Sequence, residues 1–233
     1  MARSPADPGG RGELRARGGE VEAFLRQART LQRFNAGRAR LVFAIDATAS
    51  RQPTWDLACE LQADMFTGSA DVGSLQIQLA YYRGLGELEI GGWESDTAAL
   101  AQRMSRVHCA AGRTQIARLL RRVLEDSAAS ARALVFIGDA VEESPERLDE
   151  LAGQCRLRGL PLFLFQEGAD PQVRRVFESM ARLSGGAYSR FDAGSAARLR
   201  ELLGAVARYA AGGRAALENG SAAARLLLEQ LGD

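Results

Sequence analysis

Five oxygen-bearing side chains lie where predicted strands end or a predicted helix begins. These residues are Asp46, Thr48, Ser50, Thr114 and Asp139. The first three form a D-x-T-x-S pattern after the apolar run LVFAID (41–46), and Asp139 ends a second apolar run, ALVFIGD (133–139). Carboxylate and hydroxyl oxygens are hard ligands that suit Mg²⁺, and two carboxylates balance its charge. The pattern therefore indicates a divalent metal site.

A plainer interpretation applies to each residue taken singly. An Asp that ends a strand or a Thr that opens a helix can be a capping residue without any metal. Five such residues at the ends of alternating strands and helices favour the metal site.

The elements that would position these residues alternate along the chain. Predicted strands cover 41–46, 74–84, 88–93, 133–139, 160–165 and 187–191. Predicted helices cover 20–35, 54–67, 96–109, 114–127, 145–158, 171–184, 195–210 and 221–231. This alternation predicts an α/β fold, a Rossmann-like doubly wound sandwich with helices on both faces of a six-stranded, mostly parallel sheet. The short connection between the second and third strands makes one edge strand antiparallel.

One strand order of such a sheet would bring the two carboxylates together. In a doubly wound sheet with order 3-2-1-4-5-6, the first and fourth strands flank the point where the order reverses, and ligands bind beyond their carboxyl ends. Asp46 ends the first predicted strand, and Asp139 ends the fourth. We therefore expect both in one crevice.

The residues D-A-T-A-S, the later Thr in G-R-T-Q-I and the Asp ending an apolar strand resemble the metal-ion-dependent adhesion site (MIDAS) of von Willebrand factor type A (vWA) domains. The resemblance covers roughly residues 39–210 and is closest to the stand-alone intracellular bacterial type. Two positions depart from the family pattern: Thr48 stands where Ser is usual, and Gly138-Asp139-Ala140 stands where Thr-Asp-Gly is frequent. Thr48 keeps the hydroxyl, and Asp139 keeps the carboxylate.

The resemblance also implies a function. In that family Thr48, Ser50 and Thr114 would touch Mg²⁺ (or Mn²⁺), while Asp46 and Asp139 would act partly through waters. The remaining ligand is a carboxylate from a partner protein. The resemblance thus implies a non-enzymatic adaptor whose partner is an AAA+ ATPase or chaperone-type complex. The N-terminal residues contain no apolar run of the length that a secretory signal needs, which predicts a cytoplasmic protein.

Composition excludes several other classes. All 30 basic residues are arginine, so a P-loop NTPase, a PLP enzyme and a protein kinase each lack their essential lysine. His108 is the only histidine, which excludes an HExxH zinc site. The alternatives that stay open are a metal-dependent hydrolase in the same crevice and a metal-free scaffold of the same fold.

The composition of the chain predicts three parts. We expect an Arg-rich extension with a helix over 1–38, a vWA-like domain over 39–211, and a linker with a short helix over 212–233 that docks or binds a partner. The net charge of +1 predicts no nucleic-acid or membrane partner. Glu142 and Glu143 are expected in a helix start or solvated loop; the alternative is that they rim the metal site and repel or select partners. Tyr81, Tyr82 and Trp93 are expected to pack in the core or on the sheet.

Overall fold

The sheet has six strands in the order β3-β2-β1-β4-β5-β6, the doubly wound order in which the ends of β1 and β4 share a crevice. The computed structural model describes residues 40–52, 75–126, 131–191, 196–218 and 220–231. Its strands are β1 Arg40–Asp46, β2 Gln76–Arg83, β3 Glu87–Glu94, β4 Ala133–Gly138, β5 Leu162–Glu167 and β6 Ala187–Phe191. All neighbouring strands are parallel except β2 and β3, which are antiparallel. The predicted fold class is confirmed.

Seven α-helices appear in the described part of the chain. They are α1 Thr97–Met104, α2 Ile116–Asp126, α3 Pro145–Leu157, α4 Pro171–Ser184, α5 Ala196–Gly212, α6 Ala215–Glu218 and α7 Ala222–Gln230. Local sequence sets several of their starts, since Asp96, Ser144, Asp170 and Ser221 accept hydrogen bonds from N–H groups in the first turn.

Two apolar layers cover the sheet. Alternate residues of β1 point to opposite faces, so that Leu41, Phe43 and Ile45 pack with α1, α5, α6 and α7. Val42 and Ala44 pack on the other face with α2, α3 and α4. Because β1 is covered on both faces, residues 41–45 between Arg40 and Asp46 are all apolar and buried.

The C-terminal segment packs on the same core. Leu217 of α6 and Leu227 of α7 are almost fully buried in the layer that contains Phe43. Gln230 reaches the outer strand, where its Oε1 accepts a hydrogen bond of 2.8 Å from the backbone N–H of Tyr188. The predicted short helix therefore docks on the sheet.

Some predicted boundaries are wrong. The helix expected over 96–109 ends at Met104, after which the chain turns toward the sheet, and the strand expected at 160–165 begins at Leu162. The helices predicted over 20–35 and 54–67 lie outside the described residues. Among the described helices, none has the length and apolar character to cross a membrane.

Candidate metal centre

Asp46 is fixed at the carboxyl end of β1 by two hydrogen bonds. Its Oδ1 accepts the backbone N–H of Thr48 at 2.7 Å, and its Oδ2 accepts the hydroxyl of Tyr82 at 2.9 Å. The side chain is fully buried. Burial raises the pKa of Asp46, and the nearby Asp139 carboxylate adds a smaller increase. The ionised form of Asp46 is therefore energetically unfavourable at this position unless a cation lies nearby.

Thr48 and Ser50 present their hydroxyls together. A short 3-10 helix, Ala49–Arg51, follows Thr48 and turns the chain. The two hydroxyl oxygens, Thr48 Oγ1 and Ser50 Oγ, lie 3.1 Å apart. Thr48 is buried and Ser50 is exposed, so the pair extends from the crevice to the surface.

Asp139 lies on the other side of the crevice. It follows β4, the strand next to β1, in which Gly138 is the last residue. Its Oδ1 is buried and has no hydrogen-bond partner among the described residues. Gly138, the residue before it, lies beside Asp46, since a Cβ atom on Gly138 would fall 3.6 Å from the Cβ of Asp46. A buried carboxylate oxygen without a partner ordinarily marks a missing donor or cation.

Thr114 is bound on two sides by consecutive glutamates of the loop after β4. Its N–H donates to Glu142 Oε2 at 3.0 Å, and its hydroxyl donates to Glu143 Oε2 at 2.5 Å. The same hydroxyl oxygen accepts the N–H of Glu142 at 2.9 Å. One lone pair of Thr114 Oγ1 thus stays available, and donating its proton to Glu143 makes the oxygen a better ligand.

Backbone contacts bind the Thr114 loop to the rest of the site. The N–H of Ala110 donates to the carbonyl of Ala47 at 3.1 Å, and Thr48 forms an isolated parallel bridge with Ala110. Gly112 lies against the β2–β3 turn, where a Cβ atom would fall 1.9 Å from the carbonyl oxygen of Gly84. The loop can approach this closely only because residue 112 has no side chain.

Gly112→Ala is expected to displace the Thr114 loop and lower the free energy of unfolding by about 1–3 kcal/mol, as overpacking does. Thermal and urea unfolding would measure the loss. Gly86→Ala in the same turn is the matched control, because its Cβ would meet nothing within 4 Å. Equal stability of the two variants would contradict the close approach at Gly112.

Three groups of contacts in this region were not expected from the sequence. Tyr82 is a core residue, as predicted, but it also donates to Asp46, and burial together with that carboxylate raises its pKa well above the usual value. Glu142 and Glu143 bind Thr114 instead of opening a helix. Glu143 Oε1 also accepts the N–H of Ala117 at 3.1 Å and so caps α2 from another loop. The one sequence feature that pointed to these contacts was the acidic pair Glu142 and Glu143 shortly after Asp139.

Arg51 is the largest fully buried polar side chain of the described residues. Its Nε lies 3.0 Å from Oε2 of Glu167, whose side chain is 14% exposed. The sequence offered no signal for this ion pair, since the two residues are 116 positions apart.

The donor set suits a hard divalent cation. No group of three or more His, Cys, Asp or Glu side chains among the described residues is arranged to bind a metal. The crevice instead combines the carboxylates of Asp46 and Asp139 with neutral hydroxyl oxygens. A cation there would provide the missing partner of Asp139 and offset the burial of Asp46, so the residues fit the ion that the MIDAS pattern implies.

Comparison with known proteins gives structural matches only. No protein-family model matches the sequence, and no curated protein matches it. Solved structures do match. The SpRpn10 VWA domain is 9% identical with a TM-score of 0.55, covering 66% of this chain and 87% of that one.

Two other matches are longer proteins. Proximal thread matrix protein 1 from the mussel byssus, solved with a zinc-occupied MIDAS motif, is 16% identical with a TM-score of 0.57; the match covers 74% of this chain and 46% of that one. The human COPII-coat protein Sec24c is 12% identical with a TM-score of 0.53, covering 73% and 32%. This chain thus spans less than half of either. Together with the sheet order and the placement of D-A-T-A-S, these matches establish that the chain has the von Willebrand factor type A fold.

Proposed function

We propose that this protein is a non-enzymatic interaction module that binds a carboxylate of a partner protein through a divalent metal ion. The observation that carries the proposal is the crevice between β1 and β4, where Asp139 Oδ1 is buried without a partner beside the buried Asp46. The vWA fold supports it, because the crevice lies at the strand-order reversal where such sheets bind ligands.

Each residue of the set has a distinct role in this proposal. Thr48, Ser50 and Thr114 offer neutral hydroxyl oxygens to the ion, while Asp46 and Asp139 supply negative charge. Tyr82 and the Thr48 N–H orient Asp46, and Glu143 orients Thr114. A bound Mg²⁺ or Mn²⁺ would act as a Lewis acid toward an incoming oxygen ligand.

The chemistry of the crevice favours binding over hydrolysis. Catalysis would need a general base or nucleophile beside the metal. The only histidine, His108, is exposed, and the carboxylates of Asp46 and Glu143 are engaged as acceptors. The partly open side at Ser50 suits a ligand that arrives from another molecule.

Solved proteins of the same fold suggest what kind of partner this chain binds. The mussel protein has a zinc-occupied MIDAS motif, and Sec24c belongs to a protein coat. We infer that this chain is likewise a component of a multiprotein assembly in the cytoplasm. Its vWA resemblance favours an AAA+ ATPase or chaperone-type complex.

The experiment has two stages. Mg²⁺ and then Mn²⁺ are titrated calorimetrically into EDTA-treated protein, with saturable one-to-one binding expected. Acetate, the simplest carboxylate, is then added to the Mn²⁺-loaded protein while water-proton relaxation is recorded. We expect relaxation to fall as acetate displaces a metal-bound water. Absence of metal binding would contradict the proposal and leave a metal-free scaffold.

Glu143→Gln is expected to weaken Mg²⁺ binding about tenfold, as loss of a partner of a metal ligand typically does. The amide is a weaker acceptor for the Thr114 hydroxyl and for the N–H of Ala117. Calorimetry measures the change. Glu150→Gln on the exposed surface of α3 is the control, since it removes the same charge elsewhere. Equal affinities of the two variants would contradict the positioning role of Glu143.

A further inference from the structure

The ion pair of Arg51 and Glu167 is unusual because its cation is completely shielded from solvent. Arg51 has no exposed surface, and its Nε lies 3.0 Å from Glu167 Oε2. Removing a guanidinium from water is costly, so such a pair needs a strong compensating interaction. A buried charge is also screened little by salt, and it therefore acts strongly on neighbouring groups.

Strand register shows where the Arg51 side chain runs. Gly138 of β4 pairs with Gln166 of β5, so the next residues, Asp139 and Glu167, lie at the same level on adjacent strands. Arg51 directly follows Ser50 in the loop after β1, and β4 lies between β1 and β5. To reach Glu167, the Arg51 side chain must cross the carboxyl end of β4, where Asp139 lies.

A second observation agrees with this path. Arg51 has no exposed surface although its neighbours Ser50 and Gln52 are exposed, so its side chain turns inward from the rim of the crevice that Ser50 forms. Its charge therefore lies next to the proposed metal centre.

We propose that Arg51, anchored by Glu167, is a fixed positive charge that lowers the affinity of the centre for the metal ion and raises its affinity for an anionic ligand. This inference rests on the metal centre proposed above. A positive charge opposes a second cation and attracts a carboxylate. Ion and partner carboxylate would then bind cooperatively, because each reduces the electrostatic cost of the other's binding.

The test uses two substitutions with opposite expected effects. Arg51→Met is expected to tighten Mn²⁺ binding on the order of tenfold, and Glu167→Gln to weaken it by a similar factor, since a unit charge acts on a divalent ion through partly solvated protein. The double variant R51M/E167Q, which leaves net charge unchanged, is expected to bind Mn²⁺ within about twofold of wild type. Calorimetry measures each affinity, and thermal unfolding in EDTA checks folding.

A merely structural role of the pair would give a different result. Both single variants would then weaken binding, which would overturn the inference. Unchanged affinity in both would overturn it as well. If Arg51→Met does not fold, Arg51→Gln replaces it, since its amide can still donate to Glu167. R122M/D126N removes an exposed pair of α2 and is the control.

Failure of the proposed function is distinguishable from failure of this inference. Wild-type protein that binds no Mn²⁺ would contradict the metal centre itself. Wild-type binding without opposite shifts in the two variants would contradict only the role of Arg51. Acetate binding is an independent readout. Arg51→Met is expected to weaken acetate binding to the Mn²⁺-loaded protein while it strengthens the binding of Mn²⁺ itself.

Discussion

Asp46→Asn and Asp139→Asn are each expected to abolish measurable Mg²⁺ binding, with affinity falling by about 100-fold or more. Either change removes one of the two carboxylates that balance the charge of the ion. The asparagine side chain has nearly the same shape, so the loss reports charge and not packing. Calorimetric titration of EDTA-treated protein with Mg²⁺ measures it.

The two variants should differ in stability without metal. Asp139 raises the pKa of Asp46, so Asp139→Asn removes a repulsion between the half-buried carboxylate of Asp139 and the buried carboxylate of Asp46. Asp46→Asn instead weakens the contacts with Thr48 and Tyr82. Asp126→Asn, in an exposed ion pair of α2, is the control for net charge. Retained Mg²⁺ binding in Asp46→Asn or Asp139→Asn would place the metal elsewhere.

Leu227→Ala is expected to lower the free energy of unfolding by about 2–5 kcal/mol. Leu227 is 1% exposed and packs in the same apolar layer as Phe43 of β1. Truncation would leave a cavity between α7 and the sheet. Urea unfolding followed by circular dichroism measures the change.

Leu226 gives the matched control for this prediction. It is the neighbouring residue of α7 and is 40% exposed, so Leu226→Ala removes the same atoms from a solvated position. We expect a change of about 0.5 kcal/mol or less for that variant. Similar losses in both variants would show that helix propensity, and not burial, sets the contribution of α7.

Sequence patterns predicted the sheet well because burial on both faces leaves a local signature. The runs 41–46 and 133–139 are continuously apolar and each ends in Asp, which gives both the strand and its carboxyl end. The doubly wound strand order, which the sequence pattern does not itself specify, brings Asp46 and Asp139 to the ends of neighbouring strands. The D-A-T-A-S segment needed only local geometry to bring Thr48 and Ser50 together.

The residues that orient the site were not predictable in the same way. Glu142 and Glu143 contact Thr114 across 28 and 29 residues, and this pairing leaves no periodic trace in the sequence. Charged residues in a loop are more often solvated, which was the expectation here. Tyr82 fits an apolar strand pattern equally well whether or not its hydroxyl has a partner.

The burial of Arg51 was even harder to predict from the sequence. Its neighbours Ser50 and Gln52 are exposed, and nothing in the local sequence separates a buried arginine from a surface one. Burial of Arg51 depends on Glu167 at the end of β5, so only the tertiary fold determines it. Tertiary pairing likewise ends α1 at Met104, where the chain must turn to bring Ala110 against Ala47.

The contact between Gln230 and the Tyr188 N–H also protects an edge strand from pairing with other chains. β6 is the outer strand on its side of the sheet, and an outer strand offers backbone N–H and C=O groups to any extended chain that meets it. Gln230 occupies one of these N–H groups with a side chain, which cannot continue a strand ladder. A chain that loses α7 would therefore lose more than the burial of Leu227, because β6 would become a template for aggregation between copies.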